Sequence, residues 1–332
     1  METIFRIPED AELPLVGCIT FGLIDRGTNL IQTRPISGCN LNCIFCSVDE
    51  GPNTRTRATS YVVSLDYLME WFEELAKLKG SVEAHIDGCG EPMLYPKFIE
   101  LVSHLSDVKE VKTISVQTNG TLLDEKKIDE LAEAGLSRIN LSVNAMDAEL
   151  AKKLSGSENY GIERIKEISK YIAQSKIELL IAPVYIVGLN ENEMPKIIKF
   201  AKELGCGRVW PSLGIQNFEA HRFGRKPKAV EKITWWKFYR MLGQLEKQFG
   251  VKLKITTKDF GIYKAPSLPI VFERGDKIRA DVTAPGWMKN EMIAVAKGRC
   301  VTVVNCDNDI GDEVRLKILE NKHNIYIAEK AK

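Results

Sequence analysis

The sequence has almost no net charge. Its 46 Lys and Arg against 45 Asp and Glu leave +1 over 332 residues, so the chain as a whole supplies no field that would draw it to nucleic acid. Any basic footprint must be local. A long hydrophobic run is missing too: the longest apolar stretch, around Leu179 to Leu189, is too short to span a bilayer. The N-terminus, METIFRIPED, carries acids where an export signal would have a basic and then an apolar segment. A cytoplasmic protein with no membrane attachment is expected. Internal repeats and low-complexity segments are absent, and glutamine is scarce beside plentiful Lys and Glu, a compositional lean toward a thermophile.

What is present is a globular composition, 44% apolar and 27% charged, in a chain longer than one modal domain. From about Leu30 to Asn217, β-type runs alternate with helix-type runs, the pattern of a parallel sheet wrapped by helices. Strands are predicted at Leu30 to Ile36, Val82 to Asp87, Lys112 to Gln117, Arg138 to Val143, Ile177 to Val187 and Arg208 to Leu213. Helices are predicted at Ser64 to Leu78, Lys97 to Leu105, Asp124 to Ala134, Gly161 to Gln174 and Glu191 to Leu204, with Asp124 and Gly135 as punctuation. Six β/α units are too few for a closed eight-stranded barrel. The predicted fold is therefore α/β: a partial (β/α)6 TIM-type barrel over residues 30–217 after an N-terminal segment, 1–29, with its site at the C-terminal strand ends. A basic linker, an aromatic helix around Trp235, Trp236, Phe238 and Tyr239, and a strand near Val251 to Thr256 fill 218–266. The short strands from Ser267 onward predict a small all-β barrel over 267–332.

Eight cysteines, three of them within eight positions and with no secretory signal, point to metal or redox chemistry in a reducing compartment. The three sit in PISGCNLNCIFCSVDE as Cys39, Cys43 and Cys46, a C-x3-C-x2-C loop after the first strand. Zinc is the alternative, but it prefers four ligands in paired arms, and no second Cys/His pair lies nearby at suitable spacing. Three thiolates on a 4Fe-4S cluster leave one iron open. That iron can chelate the amino and carboxylate groups of S-adenosylmethionine (SAM), and an electron from the cluster then breaks the sulfonium bond to give a 5'-deoxyadenosyl radical.

The loop, its place after the first strand and the aromatic Phe45 before its third cysteine resemble the radical SAM superfamily. Further segments fit the resemblance. GCGEP, Gly88 to Pro92, resembles the family's GGEP element, which implies that Gly88, Cys89, Gly90 and Glu91 line the SAM ammonium; alone it would read as an ordinary glycine turn, and Cys89 stands where the family often has glycine. SVQTNG and NLSVNA resemble segments that give polar contacts to SAM. By that similarity Ser142 would touch the carboxylate and Asn144 the ribose hydroxyls, on one face of a strand, with Gln117 and Asn119 as companions. PVYIVGLNENE resembles the adenine-side segment, with Val187 and Gly188 letting the base lie close. No catalytic residue beyond the cluster is assigned.

The tail from Leu268 resembles a TRAM domain, a small OB-like RNA-binding barrel found on tRNA and rRNA modification enzymes, on the strength of GDKIRADV, GRCVTVVNC and GDEVRLKIL. Its charge is balanced, with 11 basic residues from Arg274 against 10 acidic ones from Glu273. Glu219 to Arg240 is locally basic, with seven Lys/Arg against two acids and His221, Phe223, Trp235 and Trp236 interleaved, a pattern that suits phosphate contact and base stacking; Arg55 and Arg57 could extend it. A solvated linker and a buried aromatic face are the plainer readings. The expected activity is modification of a nucleobase in tRNA or rRNA, with a reductase or ferredoxin-type electron donor as partner. The alternatives are radical chemistry on a peptide or small metabolite, and a non-catalytic iron-sulfur RNA-binding protein. Cys18, Cys89, Cys206, Cys300 and Cys306 are expected to be structural rather than ligands of a second cluster.

Overall fold

The structure, a computed structural model, describes residues 3–228 and 230–331; expectations reaching Met1, Glu2, Ala229 and Lys332 lie outside the described residues. The chain divides into two compact units, Met1–Gly38 with Thr54–Lys112 and Lys264–Lys332, and Cys39–Asn53 with Thr113–Tyr263.

In the first unit, β1 (Thr3–Ile7) lies parallel to β4 (Thr59–Val63), a pairing not anticipated from the sequence. β2 (Gly22–Asp25) runs antiparallel to β3 (Leu30–Arg34), which is parallel to β5 (Val82–Ile86). Between β4 and β5, α1 (Leu65–Lys79) buries Leu65, Leu68, Met69, Phe72, Leu75 and Ala76, one face at helical spacing, and stops at Gly80 with φ 82°. Its last residue, Lys79, is buried. The Lys79 ammonium donates to Asp25 Oδ1 (2.6 Å), Thr28 O (2.8 Å) and Pro266 O (3.0 Å), so all three of its protons have partners. α2 (Phe98–Asp107) follows β5.

The second unit carries the parallel strands β6 (Val111–Thr118), β7 (Arg138–Leu141) and β8 (Glu178–Ile181). α3 (Glu125–Glu133) starts where predicted, with the Asp124 carboxylate capping the Lys127 N–H. α4 (Ala148–Ser155), capped by Asp147 and ended by Gly156, was not predicted; its single buried turn, Ala151, Leu154 and Ser155, is too short for periodicity to declare it. α5 (Ile162–Gln174) matches expectation. The predicted strand Ile177 to Val187 is broken by Pro183 into β8 and β9 (Val184–Tyr185). α6 (Met194–Glu203) is preceded by a single 3-10 turn, Glu191–Glu193.

Two predicted strands are corrected. Arg208 to Leu213 forms no strand; only Leu213 bridges to Ile181, because Gly205 and Gly207 adopt φ 70° and 93° and Pro211 lacks the N–H a ladder needs. β10 (Gln216–Asn217), paired with β9, is all that extends there. Val251 to Thr256 is likewise not a strand. After α7 (Trp235–Phe249), the N–H groups of Leu253 and Lys254 donate to the Glu246 carboxylate, each at 2.8 Å, in place of a neighbouring strand.

The C-terminal segment, part of the first unit, forms the expected all-β barrel from β11 (Lys277–Pro285), β12 (Glu291–Ala296), β13 (Arg299–Val304), β14 (Glu313–Glu320) and β15 (Ile327–Lys330). It is closed in the order β11-β12-β13-β15-β14, with β11 returning to β14 and only β13 and β15 parallel. Alternation along β14 turns Val314, Leu316 and Ile318 inward, where they join Val282, Val301, Val303 and the edge-to-face rings of Phe272 and Tyr326.

Candidate functional site

In the second unit, Cys39, Cys43 and Cys46 lie in an irregular loop, half-buried, none in a disulfide. The loop is held through its backbone. The Cys46 N–H donates to Cys43 O (3.1 Å), closing a turn between the last two cysteines, and the N–H groups of Asn42 and Ile44 donate to Ser155 O and Leu154 O at the end of α4, both at 3.0 Å. Gly156 is required here, since a Cβ on it would stand 2.1 Å from Asn42 O. The loop also meets the end of β6: Asn40 Oδ1 accepts from Asn119 Nδ2 (2.9 Å), and Asn40 Nδ2 donates to Thr121 Oγ1 (2.8 Å). Asn119 is thus engaged with the residue following Cys39. Gln117 Nε2 donates to Ser142 Oγ (2.9 Å), which joins two of the predicted SAM contacts across neighbouring strand ends. The predicted ribose contact, Asn144, accepts the Val184 N–H (2.8 Å), while buried Asn190 donates to Asn144 O and Val184 O and accepts from Ile186 N–H. Val187 is half-buried and Gly188, with φ 87°, exposed, in the turn that this asparagine pair shapes.

In the first unit, GCGEP leaves the end of β5 after a braced strand end. Asp87 accepts from Arg34 Nε (2.9 Å), Arg34 Nη2 (3.0 Å) and Gln32 Nε2 (2.6 Å). Burial alone would raise the Asp87 pKa, but the guanidinium outweighs it and holds the carboxyl below its ordinary value. The same arginine reaches the Ile19 carbonyl and the buried Cys89 Sγ (3.6 Å). Beyond Cys89, Gly90 bridges to Gly38, the residue before Cys39: Gly38 N–H donates to Cys89 O (3.1 Å) and Glu91 N–H to Gly38 O (2.8 Å). Only glycine fits at position 90, which has φ 145° and where a Cβ would lie 1.8 Å from Gly38 O. Buried Glu91 spends one carboxylate oxygen on the Met93 N–H (3.0 Å). Gly88, half-buried, leaves 3.3 Å between a Cβ and Ile36 O.

Burial pushes the thiols of Cys18 and Cys300 upward and that of Cys206 up to about 11. Arg57 stacks on Trp287, 3.4 Å from the ring centroid, and is buried rather than offered to a partner. In the basic stretch, Trp235, Trp236 and Tyr239 are 50%, 66% and 46% exposed, whereas Phe238 and Leu242 on the same helix are buried, so the expected buried face holds Phe238 but not the other three rings. The spacing of polar residues could have singled out Asn40 and Asn190; nothing in the sequence marks Arg225, whose hydrogen bonds reach back across 176 positions to Asp49.

Comparison with known proteins follows the same residues. The chain is 43% identical, over 96% of its length and 78% of the relative, to the uncharacterized protein MJ0103 of Methanocaldococcus jannaschii. It is 28% identical to the GTP 3',8-cyclase of Aquifex aeolicus, over 79% of this chain and 77% of that one. Among solved structures, Streptococcus suis SuiB bound to S-adenosylmethionine matches 72% of this chain with a TM-score of 0.52 at 20% identity, a likeness of fold alone; this chain spans 51% of SuiB. The sequence model of the radical SAM superfamily matches residues 33–201, the stretch that holds the cysteine loop, GCGEP and the ends of β6, β7 and β8. With half the chain matched in this way, the protein belongs to the radical SAM superfamily and is an enzyme.

Proposed function

We propose that Cys39, Cys43 and Cys46 hold a 4Fe-4S cluster, that SAM binds beside it, and that the resulting radical modifies a nucleobase in tRNA or rRNA. The donor set fits the cluster. Cys39, Cys43 and Cys46 share one loop and none is in a disulfide, and a four-iron cluster takes each cysteine on a different iron. When bound, the cluster supplies the electron that cleaves SAM. The chain's own residues then have positioning work: the Gly38–Gly90 bridge brings backbone to backbone without side chains between, Gln117 and Ser142 present one joined polar pair, and Asn144 and Asn190 fix the turn that carries Val187 and Gly188.

The choice of RNA is carried by the C-terminal barrel. A closed five-stranded barrel with the fourth and fifth strands exchanged in order, and the third parallel to the fifth, is an order shared with oligonucleotide-binding barrels, which supports the TRAM-like reading. Helix α7 adds exposed aromatic rings among Lys and Arg, and Arg240 stacks on Trp236 at 4.9 Å. Mass spectrometry of RNA nucleosides from a strain lacking this chain tests the reading: one modification is expected to disappear relative to the parent. The likeness to a GTP 3',8-cyclase supports a second reading, a free purine nucleotide as substrate. Unchanged RNA together with 5'-deoxyadenosine formed on adding GTP would favour that reading. Formation of 5'-deoxyadenosine from SAM by the reduced, reconstituted protein would sink the reading of a non-catalytic iron-sulfur RNA-binding protein. A reductase or ferredoxin-type donor is proposed as the electron source. Among the described residues no helix is long and apolar enough to cross a membrane.

A further inference from the structure

One basic residue of the Glu219 to Arg240 stretch turns inward. Within the second unit the chain around Gly224 lies directly on the cysteine loop: a Cβ at Gly224 would stand 2.7 Å from Ser47 O and 2.9 Å from Cys46 O. The next residue, Arg225, holds that loop at three points. Its N–H donates to Cys46 O (2.8 Å), its Nη1 to Cys43 O (3.2 Å) and its Nε to Asp49 Oδ1 (2.7 Å). Asp49 is buried and adopts φ 54°, so it occupies a backbone conformation that side-chain-bearing residues seldom take. Arg225 Nη2 is buried with no hydrogen-bond partner. Buried donors are almost always satisfied, so this one is available to a group the polypeptide does not supply.

The geometry points to Arg225 as a positioning residue for the cluster: it fixes the turn that presents Cys43 and Cys46, and its cation, oriented by Asp49, raises the cluster's reduction potential. This rests on the reading that the three cysteines hold a 4Fe-4S cluster. Reduction adds negative charge, and a nearby positive charge or an N–H donor to sulfur favours the reduced state, two of the terms known to set such potentials. A planar guanidinium can serve the Cys43 carbonyl and the Asp49 carboxylate at once from fixed directions, which a lysine ammonium on a flexible stem does not do with equal order. The pair also yields a sign. Removing Arg225 takes away a positive charge beside the loop, while removing the Asp49 charge takes away a negative one.

The test uses the full chain, reconstituted with iron and sulfide, as wild type, R225M, R225K and D49N. Iron content and the reduced-cluster electron paramagnetic resonance signal are recorded during a potentiometric titration. R225M is expected to lower the reduced-to-oxidised ratio at fixed potential at least tenfold, equivalent to about 59 mV for one electron. R225K, which keeps charge but not the fork, recovers part of that shift, and D49N moves the midpoint the other way. A loop that only needs bracing would weaken in all variants without opposite shifts, so midpoints that stay put or move together overturn the inference. If R225M does not fold, D49N decides alone: an upward shift supports the assignment, and none or a downward one overturns it. A wild-type chain that takes up no cluster overturns the underlying reading as well, which separates the two failures.

Discussion

Replacing Gly90 with alanine probes the junction where GCGEP meets the residue preceding Cys39. The new methyl would stand 1.8 Å from Gly38 O, whereas ordinary contact begins at 3.4 Å, and the obstacle is backbone rather than a movable side chain. The two segments must part by more than an ångström, which breaks the Glu91 N–H···O Gly38 and Gly38 N–H···O Cys89 bonds of 2.8 and 3.1 Å. Each such bond contributes about 1 kcal/mol. Alanine at φ 145° adds a strain of about 1–3 kcal/mol. The total, about 3–5 kcal/mol, corresponds to a SAM affinity weakened at least about a hundredfold when it falls on the binding-competent arrangement. Gly88 is the internal control, because an alanine methyl there meets Ile36 O at 3.3 Å and needs a shift of only tenths of an ångström. The assay is SAM binding to reconstituted protein by calorimetry, with iron content and thermal melting to show whether the fold and the cluster persist. A G90A variant that binds SAM and melts as wild type does, or a G88A variant hit harder than G90A, refutes the argument.

The remaining expectations concern single contacts. K79M leaves the Asp25 carboxylate buried without its ammonium, and breaking such a pair costs about 3–5 kcal/mol, to be read from urea unfolding, with D25L/K79M recovering part of the loss. Glu193 accepts from Met146 N–H (2.6 Å), Asp147 N–H (3.0 Å) and Lys196 Nζ (2.6 Å). Burial pushes its pKa up, but these donors together pull it below the ordinary glutamate value. Its charge therefore stabilises the fold above the unfolded-state pKa, and that contribution is lost as pH falls through the lowered folded value. E193Q is expected to cost about 1–2 kcal/mol near neutrality and progressively less below about pH 4.3, measured by denaturant titration across pH. W235A/W236A removes two exposed rings from α7 and is expected to weaken RNA binding, at about 1–3 kcal/mol per stacked base, without altering the melting temperature by more than a degree or two; unchanged RNA affinity in a filter-binding assay would remove α7 from the interface.

Helices such as Ile162–Gln174 are legible in the sequence because burial on one face imposes a helical period on them, and strands such as Val82–Ile86 and Val111–Thr118 as short apolar runs set between such helices. The departures from expectation have separate physical causes. At Val251 to Thr256 an extended, alternating stretch exists, but the Glu246 carboxylate takes up backbone N–H groups that a strand neighbour would otherwise satisfy, and no local pattern announces that partner. At Arg208 to Leu213 the apolar residues suit a strand, but the positive φ of Gly205 and Gly207 and the missing N–H of Pro211 prevent one. Thr3–Ile7 pairs with Thr59–Val63 outside the alternating β/α pattern that marks the other strands.

The candidate site follows the same division. Spacing alone marks Cys39, Cys43 and Cys46, since metal ligation confines donor atoms to one short loop. The residues that give the loop its shape are Asn40 and Asp49 within the loop segment and Ser155 and Arg225 from two distant stretches that folding brings to it. Arg225 shows why composition misleads here. In a segment with seven basic residues and two acids it counts as one more phosphate-seeking charge, yet its guanidinium is committed to Cys43 O and Asp49 and is withdrawn from any such surface. The basic character that remains belongs to exposed neighbours such as Arg222 and Lys237, so a local charge count overstates what the stretch can offer RNA while missing what it does for the cysteine loop.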